Sequence, residues 1–165
     1  MMLATSQEAN KIVKKIQEEI DYIKLCQRQS MTFLAASFED KEELRPEYDF
    51  QETQNKITIL EEQLRNVKHA INIFNSTTIV MGGMTIDQVL IFLPQLTERK
   101  RLLAQMKEMP EKIRAYVDKG IIDYKYRNYS IEEVIAEYEA VDSVLTTVQT
   151  ELDKINANVK FEIPY

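Results

Sequence analysis

The chain has 165 residues, of which 29% are charged and 44% hydrophobic, and its net charge is −6. This length suits one compact domain, and we predict a single domain over residues 1–165. Only three glycines and four prolines are present, which leaves little room for the frequent turns of an all-β fold and favours helices. The negative charge disfavours contact with nucleic-acid phosphates and anionic lipid surfaces, so we expect neither nucleic acid nor a membrane as the partner.

The first fifteen residues hold no apolar stretch behind a charged start. No window of the chain reaches the roughly 18 consecutive apolar residues of a membrane span. We therefore predict a cytoplasmic protein without a conventional export signal. Cys26 is the only cysteine, which excludes an internal disulfide and a multi-cysteine metal site and fits a reducing compartment.

Four helix starts are marked by capping boxes, in which Ser, Thr or Asp is followed three residues later by Glu or Gln. The pairs are Thr5 with Glu8, Asp49 with Glu52, Thr85 with Gln88, and Ser130 with Glu133. They predict four helices near residues 6–38, 50–75, 86–109 and 131–157.

The second and fourth predicted helices carry unbroken apolar seams whose members are spaced alternately three and four residues apart. The seams are Phe50, Thr53, Ile57, Leu60, Leu64, Val67, Ile71 and Phe74, and Val134, Tyr138, Val141, Leu145, Val148, Leu152, Ile155 and Val159. This spacing is typical of coiled coils. It predicts that Leu64 and Leu145 are buried.

The first and third helices are less regular. The apolar phase of the first helix weakens where Gln27 and Ser30 occupy the projected seam, which predicts a bend or a different neighbour for its second half. In the third helix Pro94 removes one backbone hydrogen bond and predicts a kink. Pro110 predicts the end of that helix, because the residue before a proline is biased away from helical geometry.

Two short segments alternate in the manner of β-strands. Ile122, Tyr124 and Tyr126 share one face before the fourth helix, and Val159, Phe161 and Ile163 do so at the C-terminus. We predict strands near 121–126 and 159–163. The fold class is therefore mainly α: a four-helix, coiled-coil-like bundle with a small β-ribbon formed by the segment before the fourth helix and the C-terminus.

Five segments carry a resemblance to a known family: RPEYDFQET, VKHAINIFNSTT, GGMTIDQVLIFLPQLTERKRLL, IDYKYRNYSIEEV and DKINANVKFEI. Together they resemble the septicolysin-like family of small bacterial proteins over roughly residues 46–163. The resemblance implies a helical protein without an established activity. The family name implies a pore-forming cytolysin, and the family supplies no catalytic residues to carry over.

The residues that most often carry chemistry do not form a recognisable catalytic set. His69 follows Asn66 by three residues where a di-iron bundle requires Glu, and it falls on the outward face of its helix, so we predict an exposed side chain. Cys26 has no histidine near it in sequence and is predicted to be buried as a small apolar side chain. Gly82 and Gly83 lack the spacing of a P-loop and predict a turn before the third helix. We predict no enzymatic activity, no metal and no cofactor.

The candidate interaction surface is the segment YKYRNY. Its residues Tyr124, Tyr126, Arg127 and Tyr129 are of the types that stack on bases and bind phosphates, although alternation along a strand also explains the tyrosines. Asn72 and Asn75, near the predicted end of the second helix, complete the candidate set. We predict a non-enzymatic interaction or scaffold protein that forms a homo-oligomer, with a dimer favoured. The alternatives are a membrane-active cytolysin and an RNA-binding accessory protein.

Overall fold

The computed structural model describes residues 1–118 and 121–164. Most of these residues lie in five helices: α1 (Ser6–Ser30), α2 (Lys41–Leu44), α3 (Phe50–Thr77), α4 (Ile86–Glu108) and α5 (Ile131–Asn158). The same residues contain six short strands: β1 (Met2–Thr5), β2 (Ile79–Met81), β3 (Met84–Thr85), β4 (Lys112–Asp118), β5 (Ile121–Tyr126) and β6 (Lys160–Ile163). The prediction of a mainly helical chain is confirmed.

The capping residues mark the helix starts as predicted. At α1 the Thr5 amide donates to Glu8 Oε2 at 2.9 Å and the Glu8 amide donates to Thr5 Oγ1 at 3.3 Å. The equivalent bonds at the other three long helices run from the Glu52 amide to Asp49, from the Thr85 amide to Gln88, and from the Glu133 amide to Ser130, at 2.8, 2.9 and 3.2 Å. Each bond satisfies a backbone donor that a helix start leaves without an intrahelical partner.

The predicted end of the first helix is wrong. α1 ends at Ser30 and not near residue 38, and residues 31–40 are all exposed. A helix of this kind is stabilised mainly by packing of its apolar face. That face is interrupted by Gln27 and Ser30, so nothing favours continuing the helix through the next turns. At the other irregular helix, Pro94 lies inside α4, which runs on to Glu108 and ends before Pro110 as predicted.

The strands form three antiparallel pairs, β1 with β6, β2 with β3, and β4 with β5. The predicted strands at 121–126 and 159–163 are present, but the prediction that they pair in one ribbon is wrong. β5 instead pairs with β4, from which only two residues separate it in sequence, so closing this pair costs little chain entropy. β6 pairs with β1, whose residue Met2 lies opposite Ile163.

Tertiary contacts divide the chain into two compact units, the first comprising Met1–Asn75 and Asn156–Tyr165 and the second Ser76–Ile155. In the first unit, Ile16 and Ile20 of α1 form a buried cluster with Val67 of α3, and Leu64 packs against it as a half-buried side chain. A second cluster joins Ala4, Ala9 and Ile163. The Phe161 ring of β6 stacks on Phe74 of α3 with centroids 4.3 Å apart. The α3 seam therefore faces the core of this unit.

In the second unit, the seam of α5 packs on α4. Leu96 and Leu103 of α4 form a buried cluster with Val134 and Val141 of α5, and Leu145 packs against it as a half-buried side chain. Two ion pairs border this contact. Arg99 Nη2 lies 2.6 Å from Glu137 Oε1, and Lys100 Nζ lies 2.5 Å from Asp142 Oδ1. The hydrogen bond to Asp142 raises the pKa of Lys100.

Candidate functional site

The candidate interaction segment forms one arm of the β4–β5 hairpin. In its register Lys112 lies opposite Tyr126, Arg114 opposite Tyr124, and Ile113 opposite Lys125. The register shifts between Arg114 and Tyr116, which leaves one extra residue in β4 and none in β5. Because opposite residues in an antiparallel pair share a face, the two cations of β4 stand on the same face as the two tyrosines of β5.

The side chains of β5 and of residues 112–115 in β4 are exposed on both faces of this hairpin. Every side chain of β5 is exposed, with Ile121 at 69%, Tyr126 at 64% and Ile122 at 41%. On β4, Lys112, Ile113, Arg114 and Ala115 are exposed as well. Isolated two-stranded sheets are marginally stable in water unless something covers one face. The hairpin thus exposes apolar area that a covering partner would bury.

Lys112 lies close to both tyrosine rings of β5. Its Nζ lies 3.8 Å from the centroid of the Tyr124 ring and 5.4 Å from that of Tyr126, and the two rings are 6.4 Å apart. Such cation–π contacts are worth about 0.5–1 kcal/mol at exposed sites. Lys112 is not among the candidates predicted from the sequence, because only the strand register brings it to Tyr124. The signal that could have found β4 is a pair of strand-like runs two residues apart, which is typical of a hairpin.

Arg127 and Tyr129 have structural contacts at the base of the hairpin. The Tyr129 hydroxyl donates to the Met106 carbonyl at 2.7 Å, and its ring packs against the α4–α5 cluster. The Arg127 amide donates to the Glu111 carbonyl at 2.9 Å, and its guanidinium carbon lies 5.8 Å from the centroid of the Tyr129 ring. Beside them lies a cavity of about 500 Å³ whose lining includes Pro110 and Ile113. The contacts of Arg127 and Tyr129 hold the base of the hairpin next to the end of α4.

The other two candidate residues, Asn72 and Asn75, lie in the last two turns of α3. Both lie inside α3, which continues past the predicted end at residue 75 to Thr77. Asn72 is exposed and Asn75 half-buried. They belong to the first unit, whereas the hairpin belongs to the second.

The first unit contains an open groove of about 680 Å³ that the sequence did not indicate. Tyr22 and Cys26 of α1 line one wall, and Tyr48, Asp49 and Lys56 line the other. Cys26 is half-buried, so the prediction of a buried thiol is wrong. The reason is that Cys26 lies where the apolar stripe of α1 fades. A hydrogen bond with this thiol raises the pKa of Tyr22.

Next to the end of α1, residues 31–38 form an exposed apolar segment. Met31 is 64% exposed, Leu34 97% and Phe38 88%, whereas Phe33 is 38% exposed and lies 5.8 Å from the guanidinium of Arg45. These residues fall within the first predicted helix, near 6–38. As a loop they become a second surface with apolar side chains in solvent.

His69 and the two glycines before α4 agree with the sequence predictions. His69 is exposed, as predicted. Gly82 and Gly83 have φ values of 59° and 81° and join β2 to β3, which confirms the predicted turn because positive φ is easiest for glycine. In residues 1–118 and 121–164, no group of three or more His, Cys, Asp or Glu side chains is placed to bind a metal ion. None of the helices in that part of the chain is long and apolar enough to cross a membrane.

Comparison with known proteins shows similarity at the level of the fold. The chain is similar to the crystal structure of a functionally unknown conserved protein from Corynebacterium diphtheriae, with a TM-score of 0.58 and 13% sequence identity. The similarity covers 98% of this chain and all of that one. No model of a protein family matches the chain, and no curated protein does either. A similarity at this level of identity shows the fold alone and carries no specific activity with it.

Proposed function

We propose that this protein is a non-enzymatic interaction or scaffold protein that self-associates, and that the β4–β5 hairpin is its docking element. The exposure of every side chain of β5, on both faces of the hairpin, is the observation that carries this proposal. Ile121, Ile122, Tyr124 and Tyr126 all present more than two fifths of their surface to solvent. Clustered apolar surface of this kind marks protein interaction sites, and covering it also stabilises a two-stranded sheet.

The long helices support a scaffold role. α3 and α5 each have 28 residues, which corresponds to about 40 Å of length at 1.5 Å per residue. Their seams supply the apolar faces of the proposed four-helix, coiled-coil-like bundle. In this proposal the helices form the support, and the hairpin contributes the contact with a second copy. A dimer is the expected assembly, since closed twofold dimers are the commonest soluble oligomers.

Light scattering coupled to size exclusion at micromolar concentration tests the proposal. We expect a mass about twice the 19.4 kDa of one chain. The variant Ile121→Ser should shift the mass towards the monomer, because it removes a large exposed apolar side chain from the hairpin. The matched control is Ile91→Ser, which changes a side chain of α4 with similar exposure and should leave the mass unchanged. A wild-type mass of one chain that stays constant on concentrating would refute self-association.

RNA binding is a second candidate, supported by the alternation of cations with aromatic rings on one hairpin face. Lys112 and Arg114 lie opposite Tyr126 and Tyr124, and bases stack on such rings while cations bind phosphates. Salt-dependent retention on RNA, lost in the double variant Tyr124→Ala and Tyr126→Ala, would support this function. The negative net charge of the chain opposes it. Absence of retention at low salt would refute it.

Membership of the septicolysin-like family is part of the proposal and rests on the quoted sequence segments. The membrane activity implied by the family name gains one supporting observation, the exposed apolar side chains of residues 31–38. Release of a dye from anionic lipid vesicles tests this activity, with Leu34→Ser and Phe38→Ser as the variants expected to reduce it. No release at micromolar protein would remove the cytolysin alternative and leave the scaffold proposal untouched.

A further inference from the structure

The two edges of the β4–β5 hairpin differ in regularity. β4 contains the register shift between Arg114 and Tyr116, and such bulges twist an edge and interrupt its hydrogen-bonding pattern. β5 runs from Ile121 to Tyr126 without a bulge or a proline. Among the described residues, β4 is the one strand that pairs with β5. The edge of β5 that faces away from β4 therefore offers a regular row of backbone donors and acceptors for another strand.

The charges of β5 are arranged for antiparallel pairing with an identical strand. Residues directly opposite each other on two antiparallel strands point to the same face of the sheet. A twofold axis that relates the two strands can therefore pass beside one residue, which then lies opposite its own copy. An axis midway between two residues would pair side chains that point to opposite faces. An axis at Asp123 would place two carboxylates opposite each other, and an axis at Lys125 would place two ammonium groups opposite each other. Like charges at such positions are destabilising.

An axis at Tyr124 gives a different set of pairs. Asp123 then lies opposite the partner's Lys125, and this ion pair occurs twice because of the symmetry. Ile122 lies opposite the partner's Tyr126, and the two Tyr124 side chains meet on the axis. Aromatic and oppositely charged cross-strand pairs each add stability. No ion pair joins Asp123 or Lys125 to another residue in the described part of the chain, so both are available for this contact.

We propose that two copies of this chain associate through the free edge of β5, in an antiparallel register centred on Tyr124, to form one four-stranded sheet. This inference rests on the proposed self-association and names its interface. In each hairpin one face carries Lys112, Arg114, Tyr124 and Tyr126. Pairing also places these two faces side by side on one surface. The strand contact is short, so the dimer is expected to dissociate on dilution.

Charge exchange tests the register. Asp123→Lys places lysines opposite each other at both symmetric positions, and Lys125→Asp does the same with carboxylates. Each single variant is expected to raise the dimer dissociation constant about tenfold or more, since two attractive cross-strand pairs become repulsive. The double variant Asp123→Lys with Lys125→Asp restores opposite charges and should restore the wild-type constant. Glu139→Lys makes the same charge change as Asp123→Lys at an exposed position of α5. It is the matched control and should have little effect.

Cysteine cross-linking gives a second, independent measurement. In a Cys26→Ser background, Tyr124→Cys places two cysteines on the axis with Cα atoms about 4.5–5.5 Å apart, within disulfide range. Ile122→Cys places them four residues out of register, about 13 Å apart, and is the control that should not cross-link. Circular dichroism of each variant confirms that the helices are intact.

The outcomes separate the inference from the function on which it rests. A wild-type chain that stays monomeric refutes the proposed self-association and the interface together. A wild-type dimer that is unaffected by Asp123→Lys, or that cross-links through position 122 and not 124, refutes the β5 register and leaves self-association standing. Weakening by both single variants, rescue by the double variant and cross-linking at position 124 support it.

Discussion

Replacing Ile20 by alanine should destabilise the first unit strongly, because this side chain lies in the contact between α1 and α3. Ile20 is 1% exposed and belongs to the cluster with Ile16 and Val67. Truncation of a buried isoleucine to alanine costs about 2–5 kcal/mol, from lost burial and from the cavity that remains. We expect about 3 kcal/mol, a large part of the roughly 5–15 kcal/mol that stabilises a typical domain.

The matched control is Ile59→Ala. This isoleucine lies on α3 but is 56% exposed, so its truncation removes little buried surface and should cost less than about 1 kcal/mol. Urea unfolding followed by the helical circular dichroism signal measures both free energies, with unchanged m-values showing that the comparison is valid. Equal destabilisation by the two variants would show that the α1 stripe does not pack on the α3 seam as described.

Three further predictions concern other contacts. Leu145→Ala should destabilise by about 1–3 kcal/mol, less than Ile20→Ala, because Leu145 is half-buried; no loss in urea unfolding would mean that the α5 seam faces solvent. Tyr129→Phe should cost about 1 kcal/mol through loss of the bond to the Met106 carbonyl, and an unchanged melting temperature would contradict this. Hydrogen bonds from Thr5 lower the pKa of Glu8 from its ordinary value of 4.5. The charged carboxylate therefore stabilises the folded state fully above about pH 4.5. This contribution is lost as the pH falls through the lowered pKa. Glu8→Gln should therefore flatten the dependence of melting temperature on pH below about 4.5, and a dependence identical to that of the wild type would refute the cap contribution.

Part of the candidate site could be predicted from the sequence. Alternation placed Tyr124 and Tyr126 on one face of a strand, and the structure confirms that their rings are neighbours. Lys112 could not be predicted with them, because it reaches Tyr124 only through the register of β4 against β5. Tyr129 was grouped with the other tyrosines by sequence proximity, yet it packs against the α4–α5 cluster, since the strand ends at Tyr126 and the side-chain alternation ends with it.

The helix starts and the buried stripes can be read from the amino-acid sequence alone, because both depend on residues within a few positions of one another. The cap of Thr5 with Glu8 and the seam containing Val67 are examples, since each is a property of one helix and its own first turn or face. The pairing of the strands and the end of α1 depend on tertiary contacts. β6 pairs with β1, which lies almost the full length of the sequence away. Residues 31–38 are exposed, so burial of an apolar face does not stabilise a helix there.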